Sequence, residues 1–130
     1  MDERITKIIM INIDLKELSS EFSKNLKFDF NLKNKNWFNI GGKSKVFYKA
    51  ENLKELVNFL KKLDNKEKIF ILGAGSNTLI NDKLFDGVVI KLSKNFNNIS
   101  LLGEDIIIAG SAVLDKSLSN FAMDNSLKGF

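Results

Sequence analysis

A glycine-rich pentapeptide, Gly73–Asn77, is the segment of this sequence whose residue types are best suited to binding chemistry. It follows the apolar run Ile69–Leu72, which predicts a short buried strand. Glycines permit positive φ and the close approach of a ligand, and successive main-chain N–H groups then form a concavity for an anion. Ser76 and Asn77 add side-chain donors. Because each hydrogen bond to a charged group contributes about 1.5–3 kcal/mol, several of them would hold a diphosphate without an arginine.

The pentapeptide also suits a turn that only leaves a strand, so the loop by itself leaves both interpretations open. Two better-known phosphate motifs are incomplete. Gly42–Ser44 matches the end of a P-loop, but Trp37 stands where that motif needs a glycine, and no strand precedes it. Gly73–Gly75 matches the start of a dinucleotide-binding fingerprint, but Thr78 replaces the third glycine. Neither a P-loop nor a Rossmann site is predicted.

Missing residue types narrow the chemistry further. The 130 residues include no cysteine and no histidine. Disulfides, thiolate metal sites and cysteine nucleophiles are therefore excluded within this chain, and the commonest general base and metal ligand is absent. We predict no metal site and assign no catalytic residue.

The net charge of +4, from 20 basic and 16 acidic residues, raises the question of a nucleic-acid partner. The lysines are spread among Asp and Glu, and Arg4 is the only arginine. Arginine makes the usual bidentate contacts to phosphates and bases. We therefore predict no nucleic-acid partner and keep a small basic nucleic-acid binder as an alternative hypothesis.

Targeting signals are not recognisable. No apolar run approaches the roughly 20 residues that a membrane-spanning helix needs. The segment Met1–Arg4 contains acidic residues, and no small-residue cleavage site follows an apolar core. These features predict a cytoplasmic protein without a membrane partner.

The elements that position the loop are predicted from apolar periodicity. Asp14 is a suitable N-cap for a short helix. The apolar residues 5–13 precede this helix, and their secondary structure is not predicted. The apolar face of this helix consists of Leu15, Leu18 and Phe22. The polar, asparagine-rich stretch Phe28–Asn36 indicates a connection.

A strand is predicted at Val46–Ala50, followed by the clearest helix of the chain, with Asn52 as its N-cap. The predicted apolar stripe of this helix consists of Leu53, Leu56, Val57, Leu60 and Leu63. The strand Val46–Ala50, this helix and the strand Ile69–Leu72 form a β-α-β unit, so we expect the two strands to be parallel.

Beyond the glycine-rich loop, a strand at 88–92, a hairpin of 99–102 with 106–109 and a last helix are predicted. The apolar face of that helix consists of Leu114, Leu118, Phe121 and Ala122. Trp37 and Phe38 are interpreted as core residues, and Lys91 and Lys94 as solvated side chains.

Several blocks occur together in an order that resembles one family of enzymes. These blocks are Trp37–Gly42, Leu72–Asn77, Phe85–Ile90, Ala109–Ala112 and Leu127–Phe130. Between residues 35 and 130 the chain resembles the UDP-N-acetylenolpyruvoylglucosamine reductases, also called UDP-N-acetylmuramate dehydrogenases. One position departs from the family pattern, because Asn39 stands where many relatives carry arginine.

The resemblance implies an α+β fold, specifically part of an FAD-binding domain of the vanillyl-alcohol-oxidase (PCMH) type. A small β-α-β lobe would be followed by the start of a second, β-rich lobe. Residues 1–34 would form a lead-in with a short helix, and residues 35–130 a truncated FAD-binding domain.

The resemblance also implies the residues that bind the cofactor. Those matching the loop around the FAD pyrophosphate are Gly73, Ala74, Gly75, Ser76, Asn77 and Thr78. A second set of predicted contacts consists of Gly110, Ser111 and Ala112.

The family's reaction uses NADPH to reduce FAD, which delivers hydride to the enolpyruvyl group of a nucleotide-sugar in peptidoglycan precursor synthesis. The family's catalytic arginine, serine and glutamate have no counterpart in this chain, so we expect it to be inactive alone and to bind FAD weakly. An exposed apolar patch is expected at Phe121 and Phe130. The alternative hypothesis from another class is a non-enzymatic nucleotide- or phosphate-binding module; the oligomeric state is left open.

Overall fold

The computed structural model of the chain describes residues 17–63 and 65–129. Residues 17–22 are helical, and Leu18 and Phe22 are buried, as the apolar periodicity predicted. The predicted cap Asp14, the predicted face residue Leu15 and the lead-in 5–13 lie outside the described residues.

A four-stranded sheet with the order β1-β2-β4-β3 forms the centre of the described chain, and a two-stranded antiparallel hairpin of β5 and β6 follows it. The elements are β1 Leu26–Asn31, β2 Lys43–Ala50, α1 Leu53–Lys62, β3 Ile69–Leu72, β4 Phe85–Leu92, β5 Ile99–Leu102, β6 Ile106–Ala109 and α2 Asp115–Asp124. The mixture of sheets and helices is compatible with the predicted α+β class.

The two strands of the predicted β-α-β unit are not neighbours. Both β2 and β3 pair with β4 in parallel register, so their expected common direction is confirmed while β4 lies between them. The chain passes from β2 through α1 to the edge strand β3 and then returns to the space between the two. Because β3 and β4 are parallel, the connection between them runs back along the length of the strands.

The prediction of a connection at Phe28–Asn36 was wrong for its first part, since β1 pairs antiparallel with β2 through residue 31. Leu26, Phe28 and Phe30 alternate with polar residues, as in a half-exposed strand, but the asparagines after Phe30 make the stretch as a whole polar. Within the strand, the φ of 47° at Asp29 lies in the left-handed region, and this turns the strand. Phe30 consequently stacks on Phe47, on the opposite face of the sheet from Leu26.

One face of the sheet is covered by α1 and helical residues 17–22. Phe59 is fully buried, and its ring stacks on Tyr48 with the ring centroids 3.9 Å apart. The N-cap at Asn52 is confirmed, because its side chain accepts a hydrogen bond from the N–H of Glu55. The predicted stripe was only partly correct, since Leu56 and Leu63 pack against the core while Leu53, Val57 and Leu60 are exposed. Phe59, the buried residue of the helix, was not included in it.

The other face is covered by two loops. Leu32 and Ile80 pack against Phe47, Leu72 and Val89. No helix covers this side within the described residues, and the long β3–β4 connection takes that place. The connection after β2 and the connection after β3 thus lie on opposite faces of the sheet.

The predicted hairpin and last helix are confirmed. Exposed apolar side chains do occur around α2, but they belong to Leu114 and Met123, whereas Phe121 is half-buried. Phe130 lies outside the described residues. No helix in the described ranges is both long and apolar enough to cross a membrane.

Candidate anion-binding site

The glycine-rich loop begins where β3 ends, at the carboxyl edge of the sheet. Leu72 is buried and pairs with Lys91 of β4, so the loop leaves the sheet next to the end of its central strand. This position matches the rule that open α/β sheets bind ligands outside the carboxyl ends of their strands.

Gly75 is the residue that the loop conformation most requires. Its φ is 76°, a left-handed value that side-chain-bearing residues rarely adopt. A Cβ atom built on it would lie 2.4 Å from the carbonyl oxygen of Lys35. Its own carbonyl accepts a hydrogen bond of 3.0 Å from the N–H of Trp37. The loop is therefore fixed against the segment that precedes β2.

The same segment supports the loop a second time, farther along. The N–H of Gly42 donates to the carbonyl of Asn81 over 2.9 Å, and a Cβ atom on Gly42 would lie 2.2 Å from the carbonyl oxygen of Asp82. A Cβ atom on Gly41 would lie 2.5 Å from the Ile80 side chain. The pair of glycines before β2 thus allows two loops to pack backbone to backbone.

The main-chain amides of the loop are unpaired. Within the described residues, no N–H from Ala74 to Thr78 donates a hydrogen bond, and the side chains of Ser76 and Asn77 make none. Gly73 has no atom within 4 Å of the position that a Cβ would take, so open space faces it. Several donors and an open approach are the features that an anion site needs.

Lys91 lies on the loop rather than in solvent. Its ammonium donates to the carbonyl of Gly73 over 2.5 Å. Burial lowers the pKa of this ammonium below its ordinary value, and the nearby charge of Lys35 lowers it further. The prediction of solvated side chains was correct for Lys94, which is exposed, and only partly correct for Lys91, which is half-buried. The pairing that brings β4 beside β3 is not visible in the sequence.

Gly110–Ala112 packs on the turn that follows β4. The N–H of Gly110 donates to the carbonyl of Asn98, and that of Ala112 donates to the carbonyl of Phe96. A Cβ atom on Gly110 would lie 2.0 Å from the Phe96 oxygen. Among these three residues, Ser111 alone keeps an N–H without a partner in the described chain. The turn from 93 to 98 carries these residues to the same edge of the sheet.

Trp37 and Phe38 are exposed, with 73% and 52% of their surface accessible, so their interpretation as core residues was wrong. The segment is held instead by its backbone and by Asn36. The buried Asn36 amide donates to the carbonyls of Leu32 and Ile40. Asn39, at the position where an arginine was expected from the resemblance, is exposed with a φ of 53°.

A cavity of about 360 Å³ lies beside the far end of the loop, on the loop-covered face. Most of its lining is apolar, with Phe70, Leu72 and Phe85 among the residues from the sheet. Thr78 and Lys83 supply its polar border. No group of three or more metal-binding side chains occurs in the part of the chain that the structure describes, so nothing there points to a metal centre.

Comparison with known proteins places these observations in a family. No family model matches the chain. It is 60% identical over 117 residues to a UDP-N-acetylenolpyruvoylglucosamine reductase of Pelagibacter ubique, covering 90% of this chain and 39% of that protein. It is 42% identical over 104 residues to the protein of the same name from Rickettsia typhi, covering 80% of this chain and 35% of the relative.

The chain thus spans little more than a third of the length of the relatives it matches. A Rickettsia bellii protein with the same name is 41% identical over 104 residues, so the similarity recurs within the genus Rickettsia. The resemblance seen in the motifs is confirmed: over most of its own length this chain is a homologue of the UDP-N-acetylenolpyruvoylglucosamine reductases, oxidoreductases by name.

Proposed function

We propose that this chain is the FAD-binding portion of an NADPH-dependent reductase that converts UDP-N-acetylglucosamine enolpyruvate to UDP-N-acetylmuramate in the cytoplasm. Residues 35–130 would belong to a PCMH-type domain, and residues 1–34 to its lead-in. The observation that carries the proposal is the row of unpaired amides from Ala74 to Thr78 in a loop that two glycine-mediated contacts hold in shape.

The residues present fit a diphosphate. The carbonyls of Gly73 and Gly75 are engaged by Lys91 and by the N–H of Trp37. Every peptide bond described is trans, so the N–H on the other side of each peptide points away from those groups. The N–H groups of Ala74 and Ser76 therefore point away from the two groups that hold these carbonyls, and Ser76 and Asn77 add side-chain donors.

Bound FAD would supply hydride transfer, and the residues of this chain would bind and orient it. The loop would hold its diphosphate, and Ser111 would be the residue of Gly110–Ala112 best able to add a contact, because the N–H groups of its two neighbours are already paired. We assign no catalytic residue here, and we propose that the chain alone binds FAD without reducing the nucleotide-sugar.

Gly73→Ala is the sharpest test of the loop. Gly73 is not among the glycines with positive φ, and a methyl group there meets no protein atom, so folding should be unaffected. The methyl group would project into the space that the diphosphate needs, and we expect FAD affinity to fall at least about tenfold, as when one charged hydrogen bond is lost. Flavin fluorescence quenching measures the affinity, and thermal unfolding measures the stability.

Gly75→Val is the less informative variant, because it breaks the packing on Lys35 and the left-handed turn at once. If Gly73→Ala and the unchanged chain quench flavin equally, the loop is not the site. If the chain binds ADP and FAD with equal affinity, a nucleotide-binding module is favoured over a flavin domain. A steep salt dependence of polynucleotide binding would favour a nucleic-acid binder instead.

A further inference from the structure

Lys91 is a half-buried lysine of the sheet whose charge has no carboxylate partner among the described residues. Lys49 pairs with Glu51 at 2.8 Å, and Lys45 pairs with Asp86 at 3.3 Å. Among the described residues the Lys91 ammonium makes no ion pair, and its only hydrogen bond goes to the carbonyl of Gly73. A partly buried cation therefore has one main-chain oxygen of the glycine-rich loop as its hydrogen-bond partner.

A second uncompensated cation lies nearby. Lys35 also has no ion pair within the described chain, and its Nζ lies 5.7 Å from the centre of the Phe30 ring. The Lys35 charge is close enough to lower the pKa of Lys91. A like charge nearby disfavours the charged form of Lys91, and an anion bound on the far side of the loop would offset this repulsion without touching Lys91.

The geometry of one peptide group connects Lys91 to the ligand. Its ammonium holds the carbonyl of Gly73, and the trans peptide then directs the N–H of Ala74 to the opposite side. A cation on the carbonyl oxygen polarises the whole peptide, as in chains of hydrogen bonds, so the N–H becomes a stronger donor. Ser76 offers an internal comparison, because the carbonyl before it is held by the uncharged N–H of Trp37.

We propose that Lys91 is a positioning residue of the anion site: from behind the Gly73–Ala74 peptide, its ammonium fixes and polarises the N–H of Ala74 that binds the diphosphate. This inference rests on the proposed function, since it assigns a role at the same loop. The ligand class is a diphosphate diester, of which FAD is the member used in the test. Lys91 does not touch the ligand in this arrangement.

The test compares Lys91→Met and Lys91→Arg with Lys94→Met as the matched control, since Lys94 is an exposed lysine three residues on. Calorimetric titration of the 130-residue chain with FAD should show roughly two- to fivefold weaker binding for Lys91→Met, because the N–H of Ala74 loses the part of its strength that polarisation supplies. Lys91→Arg should recover most of the affinity, and Lys94→Met should not change it. Riboflavin, which lacks a diphosphate, should bind all variants alike.

Two further readouts separate positioning from folding. Lys91→Met should unfold at the same temperature as the unchanged chain or slightly above it, because a partly buried charge with a lowered pKa has been removed. In the ligand-free protein, the amide proton resonance of Ala74 should shift in Lys91→Met while that of Ser76 stays in place.

The outcomes distinguish the two proposals. If the unchanged chain binds FAD and Lys91→Met binds it equally well, the role of Lys91 is refuted and the flavin site stands. An unmoved Ala74 resonance would refute the role in the same way. If the unchanged chain binds neither FAD nor ADP, the proposed function fails, and the inference about Lys91 fails with it.

Discussion

The two faces of the central sheet are built by different means. On one face, α1 and the helical residues 17–22 bury Phe59, Tyr48 and Phe22 in a cluster of interlocking rings. On the other face, two loops lie backbone to backbone over Phe47 and Val89 and leave a cavity at their border. On the first face, the burial of large aromatic side chains stabilises the fold. The second uses glycines to set the shape of a loop, and this is the face that carries the candidate site.

The largest effect should come from Phe59→Ala on the helix-covered face. Removing a fully buried ring that contacts two other rings should lower the free energy of unfolding by about 3–5 kcal/mol. Denaturant titration measures this loss. FAD affinity, measured where the variant is still folded, should be unchanged; a specific loss of affinity would erase the distinction between the faces.

Gly42→Ala should have a smaller effect on stability and a clear effect on binding. The added methyl group would overlap the carbonyl of Asp82, and such overpacking costs about 1–3 kcal/mol. Because the displaced segment continues from the glycine-rich loop, FAD affinity should fall as well. Gly103→Ala is the control: it has a φ of 67° and open space, so it should cost stability without changing flavin binding. Equal FAD affinities of Gly42→Ala and Gly103→Ala would show that the contact of Gly42 with Asp82 does not support the glycine-rich loop.

Tyr48→Phe probes an imperfection of the helix-covered face. The hydroxyl is fully buried and has no hydrogen-bond partner among the described residues, so its removal should leave stability unchanged or raise it by up to about 1 kcal/mol.

Burial, followed by the charges of Glu55 and Glu51, raises the pKa of Tyr48 from 10.0 to about 12. Its contribution to stability is therefore complete below pH 10 and is lost as the pH rises towards 12. Unfolding of the two proteins across this pH range should show a smaller alkaline loss for Tyr48→Phe. Identical alkaline profiles would show that the hydroxyl is solvated.

The smallest effect is expected at the Lys49–Glu51 ion pair, whose two side chains are partly exposed. The pKa of the Glu51 carboxyl lies below its ordinary value of 4.5, mainly because of the hydrogen bond with Lys49 and secondly because of that with Ser93. The pair is therefore intact above pH 4.5 and is lost as the pH falls through the lowered pKa. In Lys49→Met the carboxyl titration, followed by NMR, should move back towards 4.5, without a measurable change in FAD affinity. An unmoved titration curve would mean that the pair does not form in solution.

The helix-covered face was the more predictable of the two. The Asn52 cap follows from local side-chain chemistry, and the buried positions Leu18 and Phe22 follow from helical spacing. The strand β1 was missed because the asparagine-rich composition of residues 28–36 outweighed the short alternation of Leu26, Phe28 and Phe30 with polar residues. The insertion of β4 between β2 and β3 depends on pairing over long sequence separations, which no local pattern records.

The loop-covered face was predictable in its residues but not in its contacts. The glycine-rich loop could be located from its composition, and the family resemblance assigned it a ligand. The support from Gly42 and the hydrogen bond from Lys91 could not be found, because both join segments that are distant in sequence. Trp37 was misplaced for a related reason: its main chain, rather than its ring, attaches the segment to the loop.

The central position of β4 also constrains the order in which the chain can assemble. The strand β2 has a sequence neighbour to pair with in β1, but within the described residues β3 has a partner only in β4. The edge strand and the glycine-rich loop that leaves it must therefore wait for residues 85–92. A nascent chain that ends before β4 can pair β1 with β2 but has no partner for β3, so ligand binding can stabilise the chain only after residue 92 has been synthesised.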